Sequence, residues 1–313
     1  GSGTNALTFS YVILATQADA NGISMPINAL TLNGGTVRDA AGNNANLATA
    51  AVADNASFKV SNIGANAPTI TTVADDVGSI TTAVLSGGST DDTALVVRVS
   101  FGNTAVAGDS VQLNNGSTSV ASAVTLSPAN ITAGYVDVTT TTLSNATTYA
   151  FNAKITDVAG NVSAASTNYN VSIDTAAPTV SSLVMSATGA QGGTLNAGDV
   201  ITVTANMSEA TTVTGTPQMA LVIGGNTVQA NYAGGSGTNA LTFSYTILAN
   251  QTDANGISIA ANALQANGGT LRDAAGNAAD LDHGAVADNA TYLVDTTAPS
   301  FTSGTTANAI NEN

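Results

Sequence analysis

The sequence predicts an all-β protein built of tandem immunoglobulin-like β-sandwich modules in an elongated array. The composition is rich in Ala, Thr, Asn, Gly, Ser and Val, whereas Leu, Glu and Lys are scarce. Such a composition opposes helices and favours strands joined by turns. Apolar and polar residues alternate with a period of two in many short segments, which is typical of strands with one buried face. Turn residues separate these segments at the spacing expected of a sandwich.

An internal repeat fixes the organisation of the chain. Residues 1–60 align without a gap on residues 235–294, and 43 of the 60 aligned positions are identical. The two segments must therefore share one fold. The second copy is preceded, within 175–234, by alternating segments that the first copy lacks. We expect residues 1–61 to be the C-terminal half of an Ig-like repeat module and residues 175–295 to be a complete module. Completion of the half module by preceding strands of the parent polypeptide is favoured over completion by another chain, because half a sandwich exposes open edges.

A different Ig-like sandwich module is predicted for residues 62–174. The linkers that follow it and the last complete module both read D-T-x-A-P, at 174–178 and 295–299, whereas the first junction has Ser61 in place of Asp. Because Pro restricts its own φ and the residue before it, these linkers are short, semi-extended joints. Residues 296–313 are interpreted as a linker and the first strand of a further module. The strands of the middle module are predicted at 69–73, 80–85, 95–101, 110–113, 120–126, 135–140, 149–155 and 169–173.

Charge and composition narrow the possible functions. The chain has 5 Lys and Arg residues against 20 Asp and Glu residues, a formal charge of −15, which repels phosphate and anionic lipid. We therefore expect no nucleic-acid partner, and the lack of a long apolar run predicts no membrane insertion. The absence of Cys excludes disulfides and zinc–thiolate sites. A single His283 and the absence of a phosphate-binding loop argue against an enzyme.

The motif D-x-A-G-N occurs three times, at 39–43, 157–161 and 273–277. A carboxylate, a permissive Gly and an amide favour a tight turn and place oxygen ligands on one side of it. In the middle module, further Asp residues fall in turns or at strand ends, and the turns of a sandwich converge at its two poles. Carboxylates gathered at a pole repel each other unless a cation or protons neutralise them. The sequence thus predicts a Ca²⁺ site, with Asp75, Asp76, Asp91, Asp92, Asp157 and Asp174 as candidate ligands.

A second interpretation of these acidic residues, without a metal, remains open. Asp in a turn often only caps backbone N–H groups, without any metal. In the flanking module, Asp273, Asp288 and Glu209 are expected to join Asp295 at a pole, whereas the D-A-N-G segment at 253–256 is interpreted as a metal-free turn. Asp273 of the motif and Asp295 of the last linker are therefore added to the candidate calcium ligands.

Several motifs resemble those of large bacterial surface proteins. The D-T-x-A-P linkers, the D-D-V-G segment at 75–78, T-D-D at 90–92 and T-D-V-A-G-N at 156–161 resemble the bacterial Ig-like extender repeats of giant adhesins of the RTX or biofilm type. The M-S-E-A segment at 207–210, together with R-D-A-A-G-N, resembles repeats of the cyanobacterial swimming-motility cell-surface protein. The resemblance implies a secreted, extracellular polypeptide of the cell surface. Its sandwiches would serve as a spacer, stiffened by Ca²⁺ at module poles and linkers.

The C-terminal tail, residues 308–313, resembles the opening strand of cadherin-like domains. In that family the Glu at this place ligates calcium, and the resemblance therefore implies Glu312 as a ligand. The implied partners are neighbouring modules of the same polypeptide, and surface glycans or other cells through parts outside this sequence. Two alternatives are a self-assembling surface filament or layer completed by strands in trans, and a carbohydrate-binding module. The aromatic rings, however, lie in alternating strands, which favours the core over a sugar platform.

Overall fold

A computed structural model describes residues 3–14, 17–19, 21–61 and 64–301. Two modules each contain two β-sheets, and each module has its own cluster of buried apolar side chains. The described residues include one short helix, and the rest of the regular structure is strand. The predicted all-β class of sandwich modules is confirmed.

The central module consists of ten strands and a helix. In chain order they are β1 (Thr69–Ala74), β2 (Ala83–Val84), β3 (Gly88–Thr90), β4 (Val96–Ser100), β5 (Ser110–Asn115), β6 (Thr118–Ser119), β7 (Val124–Thr125), α1 (Pro128–Ala133), β8 (Tyr135–Thr139), β9 (Thr147–Thr156) and β10 (Tyr169–Ile173).

The two sheets of the central module enclose a small aliphatic core. One sheet has the strand order β2-β1-β4-β8, and the other has the order β3-β10-β9-β5-β6, with β7 also paired to β5. Val97 and Val99 of the first sheet and Leu113 and Phe151 of the second are fully buried in the same cluster. Every second side chain of β4 and β5 therefore enters the core, as the alternation of apolar residues in the sequence predicts.

The direction of strand pairing decides which turns meet at one edge. β10 is antiparallel to β9 and parallel to β3, with Ile173 beside Thr90. The N–H of Asp174 donates to the carbonyl oxygen of Thr90 at 2.9 Å. Because parallel strands end at the same edge, the segments that follow β3 and β10 leave the sandwich side by side.

The short helix α1 is the main departure from the predicted secondary structure. Ser127 is its N-cap and forms a capping box with Asn130, Pro128 occupies the first turn, and Gly134 ends the helix with φ of 77°. The segment S-P-A-N carries a readable start signal, since a capping Ser followed by Pro is typical of helix N-termini. The predicted strand at 120–126 is correspondingly reduced to the two residues of β7.

The C-terminal module consists of ten further strands. They are β11 (Val180–Thr188), β12 (Thr194–Leu195), β13 (Val200–Thr214), β14 (Gln218–Ile223), β15 (Asn226–Gly234), β16 (Thr238–Thr246), β17 (Thr252–Asp253), β18 (Leu264–Gln265), β19 (Thr270–Arg272) and β20 (Leu293–Asp295).

The long strand β13 is the centre of this module. The larger sheet has the order β11-β13-β16-β15-β14-β18, with β19 also paired to β13, and β12, β20 and β17 form a second sheet. Ile201, Val203 and Ala205 of β13 are fully buried. The pairing of β13 with β16 is irregular between Asn206 and Thr211, after which β13 pairs with β19. Such irregularities redirect side chains at the end of a sheet, and this one contains Glu209.

A hairpin turn is formed at Gly224 and Gly225. It joins β14 to β15 with Ile223 opposite Asn226, and both glycines have positive φ, 56° and 78°. Two consecutive residues with positive φ define a type I′ turn, which matches the twist of the flanking strands.

The first copy of the repeat forms no strand within the described residues 3–14, 17–19 and 21–61. Only isolated bridges occur there, such as the one between Met25 and Val52. Phe9, which is 71% exposed, aligns with Phe243, which is fully buried. The same amino acids thus lie on an open surface in one copy and in a core in the other.

Candidate metal centre

The motif D-x-A-G-N forms a turn that is held by its own Asp. The Oδ1 atom of Asp273 accepts hydrogen bonds from the N–H groups of Ala275, Gly276 and Asn277 at 2.9, 2.7 and 2.9 Å. Its Oδ2 atom accepts from the side-chain amide of Asn277 at 2.7 Å. Gly276 has φ of 105°, a conformation that L side chains rarely adopt. The capping role that Asp plays in turns is therefore present in this motif.

The two other copies of the motif form the same turn. Oδ1 of Asp157 accepts from the N–H groups of Ala159 and Asn161 at 2.9 and 2.8 Å, and Oδ2 accepts from the Asn161 amide at 2.8 Å. Asp39 makes the corresponding bonds, including one of 2.9 Å from the side chain of Asn43. The turn is thus determined by local sequence, since it forms both in the complete modules and in the exposed first copy.

In two copies the Asn amide also reaches the preceding module. The Nδ2 atom of Asn277 donates to the backbone oxygen of Asp174 at 2.8 Å, and Nδ2 of Asn161 donates to that of Ser61 at 3.0 Å. Asp174 and Ser61 are the last residues of their modules and the first residues of the two linkers. We name this contact, a motif Asn bound to the last carbonyl of the preceding module, the amide clasp. It joins the end of one module to a turn of the next through a directional hydrogen bond.

The clasp predicts a measurable effect on the geometry of each junction. Asn161→Ala removes the amide that joins Asp157 to Ser61, so we expect a broader distribution of distances between spin labels placed on either side of the first junction. Loss of one such hydrogen bond is worth about 1 kcal/mol. Asn43→Ala is the matched control. Within the described residues the Asn43 amide donates to Asp39, and no carbonyl oxygen of a preceding module accepts from it. Equal widths for Asn161→Ala and the parent chain would contradict a role in docking.

Three carboxylates converge at the second junction. Carboxylate oxygens of Asp174, Glu209 and Asp273 all lie within 4.8 Å of one another. Asp174 follows β10, Asp273 follows β19, and Glu209 lies in the irregular part of β13. We call these residues the acidic triad. The sequence analysis predicts Asp174 and Asp273 as ligands, and it expects Glu209 to gather with Asp273, Asp288 and Asp295 at one pole of the flanking module. In the structure Glu209 lies with Asp273 and Asp174.

The electrostatics of the triad are unfavourable for three negative charges. Burial raises the pKa of Glu209, and the neighbouring charges of Asp174 and Asp273 raise it further. Asp273 is only 5% exposed. Across the described residues the single ion pair joins Arg98 and Asp137, so no Lys or Arg neutralises the triad there. Like charges at this separation disfavour ionisation unless a cation joins them.

The negative charge extends from the triad into the central module. The pKa of the Asp91 carboxyl is raised by burial first, and then by the charges of Asp75, Asp273 and Asp92. Asp92 is 3% exposed and its Oδ2 atom has no hydrogen-bond partner, and the buried Oδ1 atom of Asp91 has none either. Asp75 is satisfied locally, because its Oδ2 accepts from the hydroxyl of Thr90 at 2.8 Å.

The donor set fits a hard divalent cation. Three carboxylates supply oxygen ligands, and calcium and magnesium prefer oxygen. The unpartnered oxygen of Asp91 belongs to a carboxylate on which the charge of Asp273 acts. No thiolate is available, and the only His283 accepts backbone hydrogen bonds through Nε2 from Ala263 and Leu264, at 2.9 and 3.2 Å. The arrangement is therefore unlike a zinc site.

The other predicted ligands lie apart from the triad. Asp157 is at the first junction, where its Oδ2 accepts from the hydroxyl of Ser61 at 3.4 Å. Asp76 is exposed in the loop after β1. Asp295 is exposed and its Oδ1 accepts from the N–H of Thr297 at 2.9 Å. Glu312 lies outside the described residues.

The remaining acidic groups of the C-terminal module have structural partners. Asp253 is buried, and its two oxygens accept from the N–H groups of Gly224 and Gly256, both at 2.8 Å. Asp288 is hydrogen-bonded by the side chain of Asn255. The D-A-N-G segment is thus a hydrogen-bonded turn, and Asp288 does not join the triad.

The first junction differs from the second in its chemistry. A cleft of about 610 Å³ lies between the first copy of the repeat and the central module. Its lining includes Asp19, Lys59, Asp109 and Asp157. Burial acts to raise the pKa of Asp157, but hydrogen bonds from Asn161, Ala159 and Ser61 outweigh it and lower that pKa. A depressed pKa means that the carboxylate is satisfied as an anion by these donors.

No protein-family model and no curated protein matches the chain. Among solved structures, it is similar to SGBP-B of the Bacteroides ovatus mixed-linkage glucan utilization locus, in complex with a mixed-linkage heptasaccharide. That match has 16% identity and a TM-score of 0.20, and it covers 71% of this chain and 46% of that one. The chain is also similar to the chicken CNTN1 FN1–FN3 domains, with 11% identity and a TM-score of 0.24, covering 67% and 62% of the two chains.

The chain therefore spans about half of the first of these structures and slightly under two thirds of the second. The assignment of sandwich modules rests on the sheets themselves. None of the described helices has the length and apolarity that a membrane span requires.

Proposed function

We propose that the chain is a structural spacer segment of a large secreted or cell-surface bacterial adhesin. Its working parts would be the junctions, where Ca²⁺ stiffens one module against the next. The observation that carries the proposal is the acidic triad, because Asp174 comes from one module and Glu209 and Asp273 come from the other. A cation that binds all three carboxylates ties the two modules together and is released when they separate.

The triad has the features expected of such a cation site. Its members come from three separated places in the chain, so only the docked arrangement of the modules assembles it. The amide clasp at Asn277 holds the carbonyl of Asp174 next to the same turn. Calcium would neutralise the carboxylates of the triad, whose ionised forms are disfavoured by burial and mutual repulsion. Sites of extracellular modules bind calcium weakly, with dissociation constants of about 0.1–1 mM.

The geometry also supports a mechanical role over a catalytic one. Asp273 accepts hydrogen bonds from three backbone N–H groups and one side-chain amide of its own turn, and His283 accepts from two backbone N–H groups. Linkers that contain Pro178 and Pro299 restrict the hinge between modules. Neighbouring modules of the same polypeptide are then the immediate partners. Adhesion itself would belong to other parts of that polypeptide.

Calcium addition tests the proposal directly. With 10 mM Ca²⁺ present and a dissociation constant of about 0.1–1 mM, binding stabilises the docked state by about 1.4–2.7 kcal/mol. We expect a rise in melting temperature and a larger maximum dimension in solution scattering than in chelator. Superimposable melting and scattering curves in the two conditions would overturn the proposal.

Glu209→Gln gives a sharper test because its effect should change sign with calcium. In chelator the substitution removes one charge from a repelling cluster, so the melting temperature should rise or stay the same. In calcium the variant has lost a ligand, so it should melt below the parent chain. Asp282→Asn is the matched control: it removes one charge from an exposed residue of the same module. A shift of the same sign for Glu209→Gln in both conditions would contradict a cation at the triad.

A further inference from the structure

The loop that follows β1 of the central module contacts the D-A-A-G-N turn of the C-terminal module. The hydroxyl of Ser79 donates to the backbone oxygen of Gly276 at 3.1 Å, and the guanidinium of Arg272 donates to the same oxygen at 2.8 Å. The side chain of Ile80 lies against the same glycine: a Cβ atom placed on Gly276 would be 3.1 Å from Cγ1 of Ile80 and 3.3 Å from its Cδ1. We call residues 75–80 the docking loop. It joins the two modules through a hydrogen bond and an apolar contact, and neither contact involves a carboxylate.

The three copies of the motif differ in what covers their glycine. All three glycines have positive φ, 88° at Gly42, 90° at Gly160 and 105° at Gly276, so the turn itself favours glycine in every copy. Gly276 is buried, whereas the other two are exposed. Among the described residues, chain neighbours aside, no heavy atom lies within 4 Å of a Cβ position at Gly42 or Gly160. The turn thus presents an open backbone face in two copies, and in the third copy Ile80 covers that face.

The docking loop is held in place by its own module. Oδ1 of Asp75 accepts from the N–H of Val77 at 3.2 Å, and Oδ2 of Asp75 accepts from the hydroxyl of Thr90 at 2.8 Å. Gly78 has φ of 71°, and a Cβ atom at this position would overlap Oδ2 of Asp91, so the loop backbone rests directly on that carboxylate. These contacts fix the tip of the loop before the turn meets it. A preorganised surface loses less conformational entropy when it docks.

We propose that the docking loop sets the direction in which the C-terminal module leaves the central module, and that it holds a docked arrangement without any cation. The amide clasp supplies a second attachment, since Asn277 donates to the carbonyl of Asp174. The loop and the end of β10 are different segments of the central module, so two attachments resist a rotation that a linker alone permits. Calcium at the acidic triad would then raise the docked fraction of an arrangement whose geometry is already set.

Repulsion within the acidic triad opposes docking when no cation is bound. Its three carboxylates have oxygens within 4.8 Å of one another, and like charges at that distance repel. Linked domains also move relative to each other unless an interface holds them. We therefore expect docked and undocked molecules to coexist in chelator, with the docking loop deciding the balance between them. Loss of its contacts should shift that balance measurably.

Distances between spin labels test the proposal in the full chain. The sequence contains no Cys, so Thr118→Cys in β6 and Thr227→Cys in β15 provide two exposed labelling sites, one in each module. In chelator the parent chain should show a narrow distance peak from the docked arrangement. Ile80→Ala should lower the ratio of docked to undocked molecules by on the order of ten-fold, because it removes apolar contact. Ser79→Ala should lower the same ratio roughly five-fold, because it removes one hydrogen bond.

Two further variants separate the contact from general effects of substitution. Leu85→Ala is the matched control, because it shortens an aliphatic side chain of the same module that is 77% exposed, whereas Ile80 is 39% exposed. It should leave the docked peak unchanged. Gly276→Ala adds a methyl group that strains the turn and also meets Ile80. Its effect on docking should therefore be smaller in the Ile80→Ala background than in the parent chain, as expected for residues in contact.

The outcomes distinguish this proposal from the calcium proposal. An unchanged distance distribution in Ile80→Ala would overturn it, as would an equal loss in Leu85→Ala or additive effects of Ile80→Ala and Gly276→Ala. A parent chain with no docked peak in chelator that gains one with Ca²⁺ would also overturn it and would leave the calcium proposal intact. A docked peak in chelator that depends on Ile80 and does not change with Ca²⁺ would support the docking loop and count against the calcium proposal.

Discussion

Asp273→Ala should destabilise the C-terminal module by about 2–4 kcal/mol in the presence of chelator. The substitution removes the acceptor of three backbone N–H groups and of the Asn277 amide, and it leaves the buried N–H groups of Ala275 and Gly276 without a partner. Relief of repulsion from Glu209 and Asp174 offsets only part of this loss. Denaturant unfolding, followed by hydrogen exchange at β16, measures the change.

Asp39→Ala provides the matched control for this prediction. Asp39 occupies the same motif and accepts from the N–H groups of Ala41 and Asn43 and from the Asn43 side-chain amide, yet it is exposed. Water can satisfy the groups that Ala leaves behind, so the unfolding free energy of the described modules should change by less than about 0.5 kcal/mol. Comparable losses for Asp39→Ala and Asp273→Ala would show that the motif acts only through its own turn, with no contribution from burial at the junction.

Local sequence predicts much of this molecule. Period-two alternation locates strands such as β4 and β13, and the two glycines between Leu221-Val222-Ile223 and Val228 locate a hairpin. The D-x-A-G-N motif predicts its turn correctly even in the exposed first copy. These features depend on residues that are close in the chain, where side-chain alternation and turn chemistry determine the backbone.

The membership of the acidic triad could not be predicted in the same way. Asp157 and Asp174 each follow a strand of the central module, but β9 and β10 are antiparallel, so the two residues emerge at opposite ends. The parallel pairing of β3 with β10 instead places Asp91 near Asp174. Pairing direction is a property of the assembled sheet, and alternation within one strand carries no information about it.

Glu209 joins the triad for a related reason. Met207 and Thr211, two residues before and after it, are buried. Because every second side chain of a strand faces the same side, Glu209 also faces inward. The alternation of side chains, however, does not predict that β13 changes its partner strand from β16 to β19 at this point. The M-S-E-A segment was a readable signal, because a Glu at an inward position of an apolar strand requires a partner or a cation.

The second large effect is expected from the pair Phe243→Ala and Phe9→Ala. Phe243 is fully buried between β13 and β15, and removal of a buried Phe costs about 3–5 kcal/mol. This is a large fraction of the stability of a domain of this size, which is about 5–15 kcal/mol. The C-terminal module of Phe243→Ala should therefore melt far below that of the parent chain, as followed by hydrogen exchange at β16.

Phe9→Ala should change the stability of the same chain by less than about 0.5 kcal/mol, because its ring is 71% exposed. Two identical residues in nearly identical sequence would then differ several-fold in energetic effect. Fusion of a second copy of residues 174–234 before Gly1 should remove the difference, since Phe9 then enters a core like that around Phe243. If Phe9→Ala is already costly in the unfused chain, residues 3–61 possess a core of their own and require no covering strands.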